Sequence, residues 1–219
     1  MTSEAHLELK LLGGFEARLQ GGPALVFPTQ KSQALLAYLA LPLGQSHPRE
    51  KLATLLWGDM QHAQARGNLR NALSRIKKIL PKAVRASLVI DGASVSLDPS
   101  VVDVDVAQFE RLLADGGMDA LGQIAVLYRG DFLAGLALSE RPFEEWLTAE
   151  RVRLHELAIQ GLGRLFAHQQ KSGDREAAVQ TGLCLVALDT PARRVVSGAA
   201  MRHRPRPVMA AARTGRPGA

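Results

Sequence analysis

Arg70, Asn71, Ser74 and Arg75, followed by Lys77 and Lys78, bring together the side chains that read nucleic acid. An arginine fork matches the acceptors of guanine and an asparagine amide matches the donor and acceptor of adenine. A serine hydroxyl serves either, and lysine suits phosphate. These residues lie in the run QARGNLRNALSRIKKIL, Gln64 to Leu80. Wound at 3.6 residues per turn, the run puts Ala65, Leu69, Ala72, Leu73, Ile76 and Leu80 on one side. Gly67, Arg70, Asn71, Ser74, Arg75, Lys77 and Lys78 spread across the other, and the run contains no acid. One face needs a core and the other offers cations and amides, which predicts a DNA-recognition helix. Taken alone, the same pattern also fits the solvated face of an ordinary surface helix.

Other chemistry finds less material. There is no G-x-x-x-x-G-K-[ST] phosphate loop and no G-x-G-x-x-G between a strand and a helix, and the expectation is that the chain is not an enzyme and has no cofactor. His6, His47, His62, His155, His168 and His203 show no ligand spacing with cysteine or carboxylates, so no metal is expected. Asp103 with Asp105 and Glu144 with Glu145 pair carboxylates on paper; their settings, a connector and a helix face, predict solvated acids. Cys184, the single cysteine, excludes an intrachain disulfide, and its apolar run LCLVAL predicts a buried structural thiol.

The elements that must position the basic face follow from the runs around it. LELKLL (Leu7 to Leu12), FEARL (Phe15 to Leu19) and ALVF (Ala24 to Phe27), separated by glycines, read as a small antiparallel meander. Thr29 is a candidate N-cap for a helix from Gln30 to about Leu41, with Leu35, Leu36 and Leu39 inward and Pro42 and Gly44 as stops. Pro48 opens a second helix, where Leu52, Leu55, Leu56 and Trp57 form an apolar stripe ended by Gly58; Trp57 is expected to fill core. The recognition helix comes third and ends at Pro81. SLVI and SVSL then alternate around Asp91-Gly92, a signal for a tight hairpin. Meander, three helices and hairpin make the order of a winged helix-turn-helix with an extra N-terminal sheet.

Charge divides the chain in the same places. From Lys31 to Arg85 ten Lys/Arg face two acids; from Ala107 to Asp189 eight basic residues face twelve acidic ones; from Thr190 onward seven Arg stand without an acid. A basic first domain followed by an acidic second fits nucleic-acid docking joined to a protein-interaction module. No run approaches the roughly 18 apolar residues of a membrane span. The start MTSEAHLELK lacks the features of a signal peptide, so a cytoplasmic location is expected.

The opening LELKLLGGFEARL, the run PTQKSQALLAYLAL, the segment REKLATLLWGD and the helix ARGNLRNALSRIKKIL together resemble the OmpR-type winged helix of the SARP and AfsR-like transcriptional activators. VDVDVAQFERLL, LYRGDFLAGLAL and FEEWLTAERVRLHELA are similar to the bacterial transcriptional activator domain that follows it in that family. The resemblance covers roughly Leu7 to Asp189. It implies that the third helix lies in the major groove, with Arg70, Asn71, Ser74, Arg75, Lys77 and Lys78 outward. Arg75 and Asn71, mid-face, are then expected on base edges with Arg70 and Ser74. Arg66, Lys77 and Lys78 fit phosphates, joined by Lys31, Arg49 and Lys51 at helix starts. The wing tip, Asp91-Gly92-Ala93-Ser94, departs from the pattern because it has no cation; Asp91, Gly92 and Ser94 offer only hydroxyl or backbone hydrogen bonds. The resemblance further implies contact with RNA polymerase and a homodimer on direct repeats.

Val101 to Val106 joins the two parts as a short strand or an extended connector. Beyond it AQFERLLADG, MDALGQIAVLYRG, Pro142 to Lys171 and Arg175 to Leu188 read as helices. The last two, around Ser172-Gly173-Asp174, look like a tetratricopeptide repeat. Gly161 and Gly163 inside the long helix reflect close packing or drift. From Thr190 the resemblance stops, and the Arg/Pro/Ala/Gly-rich remainder reads as a basic disordered tail or, preferably, as the product of a one-base frameshift. The expected architecture is an α+β winged helix-turn-helix domain with a small antiparallel sheet (residues 1–100), an all-α TPR-like domain (101–189) that is incomplete, and a tail (190–219). The expected function is sequence-specific binding of double-stranded DNA by a bacterial transcriptional regulator, nucleoid-associated when bound. The rival is a protein-interaction adaptor working through the helical domain, with a winged helix that does not read DNA.

Overall fold

The structure, a computed structural model, describes residues 5–189. Both readings of the stretch from Thr190 onward lie outside the described residues.

Strand β1 (Leu7–Lys10) alternates buried Leu7 and Leu9 with half-buried Glu8 and Lys10, the period of a sheet covered on one face. It pairs antiparallel with β2 (Glu16–Leu19), Leu7 opposite Leu19. The expected third strand of the meander does not form. Ala24 makes only an isolated bridge to Arg18, and Phe27 turns inward, edge-on to Phe15 at 5.8 Å. Pro23 and Pro28 flank that segment and supply no N–H to a ladder. The third strand comes from far along the chain: residues 102–104, β6 of the final order, lie parallel to β1 with Leu7 opposite Val102. The sheet is therefore mixed rather than antiparallel. The connector resolves as a strand because Val102 and Val104 share a buried face while Asp103 points out.

Helix α1 (Gln30–Leu39) is capped by Thr29, whose hydroxyl accepts from the Ser32 N–H at 3.2 Å, and buries Leu35, Leu36 and Leu39. It ends two residues short of Leu41, which precedes Pro42 and is thereby turned away from helical backbone. Strand β3 (His47–Pro48) was not expected; two residues are too few to show a period. Pro48 accordingly caps α2 (Arg49–Trp57) from outside rather than opening it. Leu52, Leu55, Leu56 and Trp57 are buried as expected. Helix α3 (His62–Ile79) follows, burying Ala65, Leu69, Ala72, Leu73 and Ile76 against the core. The hairpin β4 (Leu88–Asp91) and β5 (Ser94–Leu97) comes next, with Asp91 paired to Ser94 and Gly92-Ala93 as the turn, one residue beyond the expected centre. Gly92 takes φ 44°, which glycine adopts without steric cost. Through β5 the hairpin extends to β3, His47 opposite Val95, in a second three-stranded sheet.

β6 (Val102–Val104) leads into α4 (Asp105–Asp115), α5 (Met118–Leu127), α6 (Arg141–Ser172) and α7 (Arg175–Asp189). Gly173, at φ 77°, ends α6 in the left-handed conformation and makes the expected turn. A Cβ on Gly161 would meet Leu113 Cδ2 at 2.6 Å and Ile124 Cδ1 at 3.3 Å, whereas one on Gly163 would meet nothing within 4 Å. Close packing thus accounts for the first glycine only. Cys184 is half-buried rather than fully buried.

Residues up to Leu188 form one compact unit, and its contacts cross residue 100. Asp105 is the clearest tie. Far from a solvated acid, it is buried, its Oδ1 accepting from the Leu11 N–H at 2.8 Å and its Oδ2 from the Leu12 N–H at 3.0 Å. Arg129 approaches it at 3.4 Å. Burial pushes its carboxyl above the usual carboxylate range, against the opposing pull of those N–H groups and of Arg129. Glu144 likewise serves the fold, accepting from the Leu138 N–H at 2.8 Å, while Glu145 pairs with Arg141 on the surface. Trp146 of α6 lies edge-on to Tyr38 of α1 at 4.9 Å and to Phe132 at 5.7 Å. The helical part thereby packs on α1 and α2, leaving the outward face of α3 uncovered.

Candidate nucleic-acid interface

The inward side of α3 fixes the outward side. With Leu69, Leu73 and Ile76 almost completely buried, the helix cannot rotate without exposing them, so Arg70, Asn71, Ser74, Arg75 and Lys78 stay exposed. Lys77 is half-buried at the edge of the stripe. None of these six side chains makes a hydrogen bond or ion pair among the described residues, and α3 carries no acid. Several cations elsewhere are engaged. Arg85 binds the Leu80 carbonyl at 3.1 Å, Arg151 binds the carbonyls of Phe132 and Leu133 at 2.9 and 2.8 Å, and Arg153 pairs with Glu110 at 2.6 Å. Lys77 and Lys78 also sit in the last turn, where they offset the helix dipole. That structural benefit does not extend to Arg70 or Arg75.

The expected phosphate-binding residues divide. Arg49, Arg66 and Arg70 line one open groove of about 590 Å³ together with Pro48, Ala63, Gly67 and the wing-tip Ala93. Glu50 lies in the same groove and approaches Arg66 at 3.8 Å, both side chains being largely exposed. The wing tip is held here, because the Ala93 carbonyl accepts from the Arg49 N–H at 2.8 Å. Asp91 and Gly92 are exposed, and the Ser94 hydroxyl turns back to the Asp91 carbonyl at 3.4 Å. Lys51 is exposed with its ammonium 5.8 Å from the centre of the Tyr38 ring. Lys31 is placed differently. Its Nζ is 2.6 Å from Glu140 Oε1 and 5.2 Å from the Trp57 ring centre, and the other Glu140 oxygen accepts from the Gly58 N–H at 3.1 Å. Lys31 therefore ties α1 to the start of α6 and is not a free cation. No local spacing in the sequence announces a partner 109 residues away. Sequence reasoning also passed over Ala63 and Ala93 as lining residues, although Ala63 precedes Gly67 by one helical turn on the same stripe.

Among the described residues no group of three His, Cys, Asp or Glu is placed to hold a metal ion, and no helix is long and apolar enough to cross a membrane. A second groove, under β1 and β6, mixes Lys10, Arg111 and Arg129 with Glu8, Asp103 and Asp105 and so presents no single sign of charge.

Small sheets, a three-helix segment with a hairpin and a helical C-terminal part define an α+β fold. It is similar to that of Mycobacterium tuberculosis EmbR, solved in complex with a low affinity phosphopeptide, with a TM-score of 0.56 and 19% identity. The match covers 89% of this chain and 58% of that one, so the chain spans less than two thirds of the neighbour's length. No protein-family model and no curated protein matches the sequence.

Proposed function

We propose that the chain is a sequence-specific, double-stranded DNA-binding transcriptional regulator, an activator acting near a promoter. In this reading α1 to α3 and the hairpin β4–β5 form a winged helix, and α3 enters the major groove. The observation that carries it is the outward face of α3: Arg70, Asn71, Ser74, Arg75, Lys77 and Lys78, all without a partner among the described residues and without a neighbouring acid on the helix. A surface helix that served only solubility would gain from mixed charges spaced to pair, and this one has none. Arg75 and Asn71 read base edges, with Arg70 and Ser74 beside them; Arg49, Lys51, Arg66, Lys77 and Lys78 meet phosphates. Lys31 has no part in this face. The wing contributes the backbone of Asp91 and Gly92 and the hydroxyl of Ser94 rather than an inserted cation. The likeness to EmbR supports the fold this reading requires. Contact with RNA polymerase and a homodimer on direct repeats rest on the SARP resemblance, and a cytoplasmic location on the sequence features given above.

The test is a salt titration of binding to duplex DNA. Neutralising about five phosphates predicts a slope of log K against log salt of about −4.5; a flat response contradicts the reading. The adaptor reading is favoured by one observation, the exposure of Val179 and Leu183, one turn apart on α7, at 59% each. Absence of DNA binding at low salt would move the function to that face.

A further inference from the structure

Gly67 is a poor residue for its place. It lies inside an 18-residue helix, where glycine is among the weakest helix formers. Its φ is not in the left-handed region, and a Cβ there would meet nothing within 4 Å. The fold itself gives no reason for it. Gly161, by contrast, has its reason in Leu113 and Ile124. Gly67 also stands at the head of the stripe that continues through Arg70, Asn71, Ser74, Arg75 and Lys78, at spacings of three and four residues. One turn before it is Ala63, so the N-terminal end of the stripe is smooth where the rest carries long side chains. That smooth end floors the groove bounded by Arg49, Arg66, Arg70 and the wing-tip Ala93.

We infer that Gly67 is a positioning residue for DNA: the missing side chain lets the sugar-phosphate backbone of one strand seat against α3, in the groove that the start of α2 and the wing tip, joined to each other, border. This rests on the DNA-reading proposal. Arg49 and Arg66 flank the strand and neutralise its phosphates, Arg70 leads from the groove toward the bases, and Glu50, the one acid lining the groove, is offset by Arg66. Seating the strand this deep sets how far Asn71 and Arg75, one and two turns further on, reach toward base edges. A side chain at position 67 would lift the helix away without removing any contact group.

The experiment compares wild type, Gly67→Ala, Gly67→Gln and, as a control for helix propensity, Gly163→Ala, all in the full chain. Thermal unfolding and affinity for a duplex selected by the wild type are both measured. Gly67→Ala and Gly163→Ala are expected to raise the unfolding midpoint by about 2–4 °C, since both fill open space in a helix. Gly67→Gln is expected to weaken binding at least about tenfold, the effect of losing one charge-assisted contact, and Gly163→Ala to leave it unchanged. Wild-type affinity in Gly67→Gln overturns the inference and leaves the DNA reading standing; a lowered midpoint in Gly67→Ala overturns it by showing a structural need for glycine. A wild type that selects no duplex overturns both.

Discussion

Arg75 and Asn71 differ from Lys78 in what their loss should do. Replacing either of the first two with Ala should cost about 1–3 kcal/mol at particular base positions and relax the preference there. Lys78→Ala should weaken every sequence alike and reduce the salt slope by about 1. Competition assays over a set of single-position operator variants separate the two patterns. Inside the fold, Asp105 accepts from the N–H groups of Leu11 and Leu12, just past the end of β1. Asp105→Ala orphans them and should cost about 1–3 kcal/mol or more in urea unfolding, although an isolated acid in a connector would have cost nothing. His47 supplies the pH dependence. Its buried ring lies tilted against that of Tyr38, centroids 5.0 Å apart, its Nε2 has no partner among the described residues, and burial, with Lys51 nearby, holds its pKa below the usual histidine value. Between that lowered pKa and about 6.5 the unfolded chain binds a proton that the folded chain does not. Stability should therefore fall as pH drops below about 6.5, and His47→Phe should flatten that slope in denaturation curves measured from pH 7.5 to 5.5.

At the scale of elements, local signals did most of the work. The 3.6-residue period of α3 identified both of its faces, Thr29 located the start of α1, and Asp91-Gly92 placed the hairpin to within a residue. Long-range pairing was not legible. The third strand beside β1 comes from Val102–Val104, and β3 is two residues long, so neither has a period that points to its partner. The Lys31–Glu140 tie is hidden for the same reason, since an ion pair between distant residues leaves no spacing to read. The outward face of α3 was legible because it lies on one helix, and the groove was not, because α2, α3 and the wing build it together. Packing also separates residues that look alike in sequence. Gly163→Ala should stabilise the chain by about 0.5–1 kcal/mol, while Gly161→Ala should gain less or lose stability by crowding Leu113 and Ile124. Parallel urea titrations of the two variants check this.

Among the described residues, the arrangement sets a basic, unpartnered face on α3 apart from a helical part that packs on α1 and α2 through Trp146 and Glu140. Such a division leaves the outward face of α3 free, and on the helical part Val179 and Leu183 are exposed as well. The fold shared with EmbR is compatible with this division, and sequence-specific reading by α3 is its central claim. The most direct test is selection from random duplex DNA by the purified chain, with Arg75→Ala and Asn71→Ala selected in parallel. A defined motif for the wild type, with a different position relaxed in each variant, is the predicted result. Recovery by all three of the same unspecific, salt-sensitive DNA would contradict it, leaving α3 a merely cationic surface.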